Sequence, residues 1–111
     1  MKVEVSDGEI LDKLSILEIK LNKIEHIGKL VNIQKEYDSL KQTIGEPPWY
    51  EHVFRNYGFY WQLKEINETL WEIEDEIRIK EKNQEFDNIF IKLARQVYQT
   101  NDKRAKIKKE I

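Results

Sequence analysis

Residues 63–81 read LKEINETLWEIEDEIRIKE, and two stripes run through them. Leu63, Ile66, Leu70, Ile73 and Ile77 recur at alternating steps of three and four, the buried seam of an amphipathic helix. Asn67, Trp71, Glu74, Arg78 and Glu81 repeat the same steps one residue later. One residue turns a helix by about 100°, so the second stripe lies along a shoulder of the seam. Such a shoulder is where a helical bundle places binding groups, ion-pair braces or a partner contact.

The flanking sequence carries the same periodicity. Ser6 with Glu9 three residues later forms a capping box, and Asp7 adds negative charge to the first turn. Ile10, Leu14, Leu17, Leu21 and Ile24 then give a helix over about 7–25, with Gly28 as its stop signal. Leu30, Ile33, Tyr37, Leu40 and Ile44 predict a second helix over about 29–44, closed by the loop Gly45-Glu46-Pro47-Pro48. Aromatic residues crowd the next stretch (Trp49, Tyr50, Phe54, Tyr57, Phe59, Tyr60 and Trp61), which reads as a hydrophobic lid or a stacking surface. A third helix is expected over about 59–82. Phe86, Ile89, Phe90, Leu93 and Val97 predict a fourth over about 84–99, and Asn101 is placed to cap a short last helix over 102–110. The expected architecture is therefore all-α: one domain over 1–111, an antiparallel bundle of about four helices plus a short C-terminal helix.

Several apolar residues fall off these seams: Ile16, Ile19, Trp71, Ile79, Ile91 and Tyr98. A single-layer bundle of this size does not bury them all. Either one helix is central or a second copy covers them, and a homodimer is the expectation.

Composition removes several function classes. The net charge of −2 gives no general drive toward nucleic acid or an anionic membrane. Lys103, Arg104, Lys106, Lys108 and Lys109 complement a helix C-terminus, and no aromatic is interleaved with them. The chain has no cysteine, which excludes disulfides, thiolate catalysis and cysteine-held zinc. His26 and His52 lack the Glu-x-x-His spacing of di-iron bundles, so neither a metal nor a cofactor is expected. No apolar run approaches the roughly 20 residues of a membrane span. The opening Met1-Lys2-Val3-Glu4-Val5 is too polar for a signal peptide, and a cytoplasmic location is the expectation.

Two constellations remain. In the first, Glu74, Asp75 and Arg78 lie within one turn, and Lys13 or Lys20 of the first helix can face Glu74 across a helix pair. In the second, Arg95, Tyr98, Asn101, Asp102 and Arg104 surround the junction of the last two expected helices, where two arginines can hold a phosphate or carboxylate. Both also read as structure alone, as ion-pair braces in the first and as a cap with its dipole partner in the second.

Three strings add a resemblance. VEVSDGEILDKLSILEIK (3–20), INETLWEIEDEIR (66–78) and FDNIFIKLARQVYQTNDKRAKIKKEI (86–111) are similar to a small bacterial helical family of unknown function. Its recognisable words correspond here to Gly8, Glu9, Asp12, Lys13, Leu70, Trp71, Glu74, Asp75, Arg95, Asn101, Asp102 and Arg104. Members of that family resemble neighbours or fusion partners of glycosyltransferase and polysaccharide proteins, which implies an accessory role in glycan synthesis. The resemblance unites the two constellations as one expected site: Asp12, Lys13, Trp71, Glu74, Arg78, Arg95, Asn101 and Arg104. A protein or an anionic small molecule is its expected partner, and the chain itself is expected to form a homodimer. The helix order is also similar to that of the helical chorismate mutases, which implies as alternative a small lyase or mutase binding an anionic metabolite between helices. Those enzymes hold a dicarboxylate with several arginines, and the first helix here has Lys13 and Lys20 but no arginine. A binding module is preferred over an enzyme.

Overall fold

The computed structural model describes residues 6–45 and 56–111. Among them the chain forms four helices and no strand: α1 (Asp7–Lys23), α2 (Ile27–Ile44), α3 (Tyr57–Lys82) and α4 (Asn88–Glu110). The loop residues Glu46, Pro47 and Pro48, together with Trp49, Tyr50 and Phe54, lie outside the described residues.

Helix α1 is the centre of the packing, in contact with α2, α3 and α4. Its start follows the sequence signal: Ser6 Oγ accepts the Glu9 backbone N–H at 3.3 Å. Two rows of α1 are buried. Ile10, Leu14 and Leu17 form the expected seam, while Gly8, Asp12, Ser15 and Ile19, spaced 4-3-4, form a second. Two residues turn a helix by about 200°, so these rows lie on nearly opposite sides. The seam side clusters with Ile44 of α2 and with Tyr60 and Leu63 of α3. Each fully buried aliphatic side chain contributes about 1.5–3 kcal/mol, which is what holds a 17-residue helix that would be marginal alone.

Of the off-seam apolar residues, Ile19 is thus covered within the chain, and Ile16 and Trp71 are half-buried. Ile79, Ile91 and Tyr98 stay exposed, at 59%, 55% and 71%. The fourth seam is only partly buried: Leu93 is inside, Phe90 and Val97 are half-buried, and Phe86 and Ile89 face out.

The largest correction concerns the end of the chain. Residues 88–110 are one unbroken helix, so the expected break at residues 99–102 and the separate C-terminal helix are absent. Asn101 sits inside the helix. The cap is Asp87, whose Oδ1 accepts the Phe90 N–H at 3.0 Å, so α4 begins at 88 rather than 84. Gly28 is likewise no helix stop. Ile24 ends α1 in extended conformation, His26 Nδ1 caps α2 at the Lys29 N–H, and Gly28 falls in the first turn of α2.

The turn between α3 and α4 closes without a glycine. Gln84 adopts φ 55°, Glu85 N–H reaches the Lys80 carbonyl at 2.8 Å and Gln84 N–H the Glu81 carbonyl at 3.1 Å. This double bond pattern satisfies the last carbonyls of α3. Lys80 Nζ braces the turn from the side, 3.3 Å from Glu85 and 3.1 Å from the capping Asp87.

Candidate functional site between α1, α3 and α4

The three helices meet around a buried carboxylate. Asp12 is only 3% exposed, and its Oδ1 accepts from Arg104 Nε and from Asn67 Nδ2, both at 2.9 Å. Its Oδ2 takes Arg104 Nη2 and lies 3.6 Å from Lys108 Nζ. Asn67 spends its second amide hydrogen on Ser15 Oγ at 2.8 Å, and the Ser15 hydroxyl donates to the Asp12 carbonyl at 2.7 Å. Three buried polar groups from two helices thus satisfy one another, as a low-dielectric interior requires. Lys108 closes the edge on Glu9 Oε1 at 2.6 Å.

Two features of sequence make this junction possible. The row Gly8–Asp12–Ser15 aims along one side of α1, and on the facing segment of α4 Arg104 and Lys108 stand one turn apart. Gly8 removes the obstacle to close approach: a Cβ there would stand 2.5 Å from the Lys108 carbonyl oxygen and 3.2 Å from its Cα. Any side chain at residue 8 would push the two backbones apart.

Burial raises the Asp12 pKa, but hydrogen bonds from Arg104 and Asn67 and the charges of Arg104 and Lys108 outweigh it, so the carboxyl sits below its ordinary value. Arg104 is held above its ordinary value chiefly by its bonds to Asp12. The pair is a locked carboxylate–guanidinium fork, with the arginine side chain still 27% exposed.

That exposed edge of Arg104 faces a cavity of about 200 Å³ between α1, α3 and α4. Ile16, Ile19 and Leu70 supply its apolar surface, Trp71 an aromatic wall, and Lys20, Asn67, Glu74 and Arg104 its polar groups. Among the described residues neither Lys20 nor Glu74 forms an ion pair, though the Glu74 charge acts on Arg104 across the cavity. Apolar walls with a few convergent polar groups are the usual makeup of a small-molecule site. At 200 Å³ the volume suits one sugar-sized or carboxylate-bearing group and falls short of the roughly 300 Å³ lower limit for drug-sized ligands.

The eight residues expected to form one site separate into distinct places. Trp71, Glu74 and Arg104 share the cavity. Asp12 stands behind Arg104 as its buried anchor, and Asn101 Oδ1 lies 3.5 Å from Arg104 Nη1. The other three are elsewhere. Lys13 borders a different hollow with Lys35, Glu36, Ser39, Leu40 and Thr43 of α2. Arg78 is exposed and pairs at 2.6 Å with Asp75, rather than with Glu74. Arg95 is exposed, and nine residues of continuous helix, about two and a half turns, set it on the opposite face from Arg104. Convergence of Arg95 with Arg104 required a break that α4 does not have.

Sequence reasoning passed over Ser15 and Asn67 as site residues. Their signal was present: both sit in rows of helical spacing, Ser15 with Asp12 and Ile19 nearly opposite the α1 seam, and Asn67 with Trp71 and Glu74 beside the α3 seam. Among the described residues no group of three or more acidic or histidine side chains is placed to hold a metal ion, and no helix is long and apolar enough to cross a membrane.

Comparison with known families gives a whole-chain match, to the model of a family of unknown function (DUF6165), over residues 1–111. No curated protein and no solved structure matches the chain.

Proposed function

The chain belongs to the family of unknown function DUF6165, and from that premise we propose that it is a binding or accessory module whose α1–α3–α4 cavity takes a small anionic group. The observation that carries this reading is the combination at one wall. Arg104 is fixed in place by a buried network that leaves its outer edge toward the cavity, beside Lys20, Glu74 and the ring of Trp71. Preorganising the guanidinium in this way lowers the entropy an incoming anion must overcome. Lys20 adds a second cation, Glu74 accepts from hydroxyl or amine groups, and Trp71 offers a flat apolar face.

The same reading takes the bundle as antiparallel, supported by Gly8 beside Lys108, Asp12 beside Arg104, and Glu18 beside Lys64 with Asp12 beside Asn67. It places the protein in the cytoplasm. The likeness to glycosyltransferase- and polysaccharide-associated proteins makes a sugar phosphate the preferred occupant and a glycan-synthesis enzyme the preferred neighbour. A lyase or mutase acting on a dicarboxylate needs more cations than Lys20 and Arg104, one of which is already committed to Asp12.

A thermal-shift panel tests this directly. Glucose 1-phosphate, UDP-glucose, a dicarboxylate and inorganic phosphate are compared on the wild type and on Trp71→Ala and Lys20→Gln. Stabilisation by a sugar phosphate that both variants lose supports the reading, because a ligand at a hundred times its Kd adds about 2.7 kcal/mol. No stabilisation by any of the four, or stabilisation unchanged in both variants, contradicts it.

A further inference from the structure

The outer face of α4 carries a second row that stays exposed among the described residues. Ile91, Arg95, Tyr98, Asp102 and Ala105 follow one another at steps of four, three, four and three. All five are exposed, Ile91 at 55% and Tyr98 at 71%. The row lies nearly opposite the Leu93–Val97–Arg104 side that packs inward; only its last residue, Ala105, borders α1, at the hollow beside Ser6–Glu9. A 4-3-4-3 row with apolar residues at its ends and centre has the form of a helix-pairing seam.

Its charges have a particular symmetry. Among the described residues neither Arg95 nor Asp102 forms an ion pair within the chain. They stand seven residues apart, equidistant from the midpoint between Tyr98 and Gln99. We propose that α4 pairs with α4 of a second copy, antiparallel, about a two-fold axis at that midpoint. Arg95 and Asp102 are each about 5 Å along the helix from the axis, on opposite sides, so each Arg95 falls level with Asp102 of the other copy. The two tyrosines at residue 98 meet near the axis, with Ala94 beside them leaving room for close approach. Ile91 then comes within about 1.5 Å of the level of the other copy's Ala105.

An isologous contact of this kind pairs the same patch with itself, which is the commonest form of homo-oligomer. A parallel arrangement would set Arg95 against Arg95 and Asp102 against Asp102, so the charge pattern selects the antiparallel one. The row spans about 21 Å of helix, and one such helix pair buries less than the roughly 800 Å² per partner of a standard interface. The expected dimer is accordingly reversible, forming in the micromolar range. Because the row faces away from the Arg104 cavity, dimerisation leaves that cavity open in both copies.

Sedimentation velocity on the full chain from about 1 to 300 µM tests the pairing. The wild type should shift from monomer to dimer across this range. Arg95→Asp alone and Asp102→Arg alone should each raise the dissociation constant at least about tenfold, since each sets two like-charge pairs across the axis. The double variant, with the charges exchanged, should return to within about threefold of wild type. Circular dichroism confirms that all three variants keep the helical fold, as their exposed positions predict. A chain that stays monomeric at 300 µM, single variants that associate like the wild type, or a double variant no better than the singles would each overturn the proposal.

Discussion

Two arginine–aspartate pairs, Arg104 with Asp12 and Arg78 with Asp75, show how little ion-pair geometry alone reveals. Both are close contacts, the second at 2.6 Å. Yet Asp75 and Arg78 have side chains 51% and 62% exposed and stand three residues apart on one helix, so they brace only themselves. The Asp12 side chain is 4% exposed and links helices 92 residues apart in sequence, with Asn67 and Ser15 completing its shell. Surface pairs contribute about 0–1 kcal/mol, whereas removing one partner of a buried pair costs about 3–5 kcal/mol, because it strands a charge without solvent. The difference lies in what surrounds the pair.

The largest expected effect follows from breaking the buried pair. Asp12→Ala leaves Arg104 with only its cavity-facing edge solvated and takes one acceptor from Asn67, and should lower unfolding stability by about 3 kcal/mol in urea melts, the lower end of the buried-pair range. A loss below about 1 kcal/mol would put this pair in the same class as the exposed one.

Acid titration probes the buried pair next. The native Asp12 pKa lies below its unfolded value of about 3.9, so the folded state binds fewer protons and gains stability as pH rises. That gain is fully present above about pH 4 and is lost as pH falls through the depressed native value. Asp12→Asn should therefore flatten the stability profile below pH 4. An Asp12→Asn profile as steep below pH 4 as that of the wild type would contradict the assignment.

The smallest effect is expected at the surface. Arg78→Ala should change stability by no more than about 0.5 kcal/mol, the usual size of an exposed helix pair. A loss comparable to that of Asp12→Ala would show that Arg78 has a partner beyond Asp75.

These contrasts also explain which parts of the molecule were legible in sequence. Apolar rows such as Ile10–Leu14–Leu17 and Leu63–Leu70–Ile73 announced helices, because their period of 3.6 has no other economical reading. The row Gly8–Asp12–Ser15–Ile19 has the same spacing, but its polar members read as solvent-facing, and only their mutual hydrogen bonds make burial tolerable. Such partners come from other helices and leave no local trace. Asn101 and Asp102 misled for a related reason. Their weak helix propensity and taste for caps suggested a break, yet the penalty is at most about 0.7 kcal/mol per residue. Arg104 and Lys108, docked on Asp12 and Glu9, outweigh that cost and carry the helix through. Trp71 and Glu74 were identifiable from their stripe, while the separation of Lys13 and Arg95 from the cavity depends on α1 being central and α4 being continuous.

The most direct test of the account is a nuclear magnetic resonance titration of the uniformly labelled chain with glucose 1-phosphate. The predicted result is a saturable set of shifts confined to the Trp71 indole N–H, the Arg104 Nε–H and the backbone amides of Lys20, Asn67 and Glu74, with Lys13, Arg78 and Arg95 unmoved. Shifts centred on Lys13 and Thr43, or no shifts at millimolar ligand, would contradict the claim that the buried Asp12 network holds Arg104 for binding.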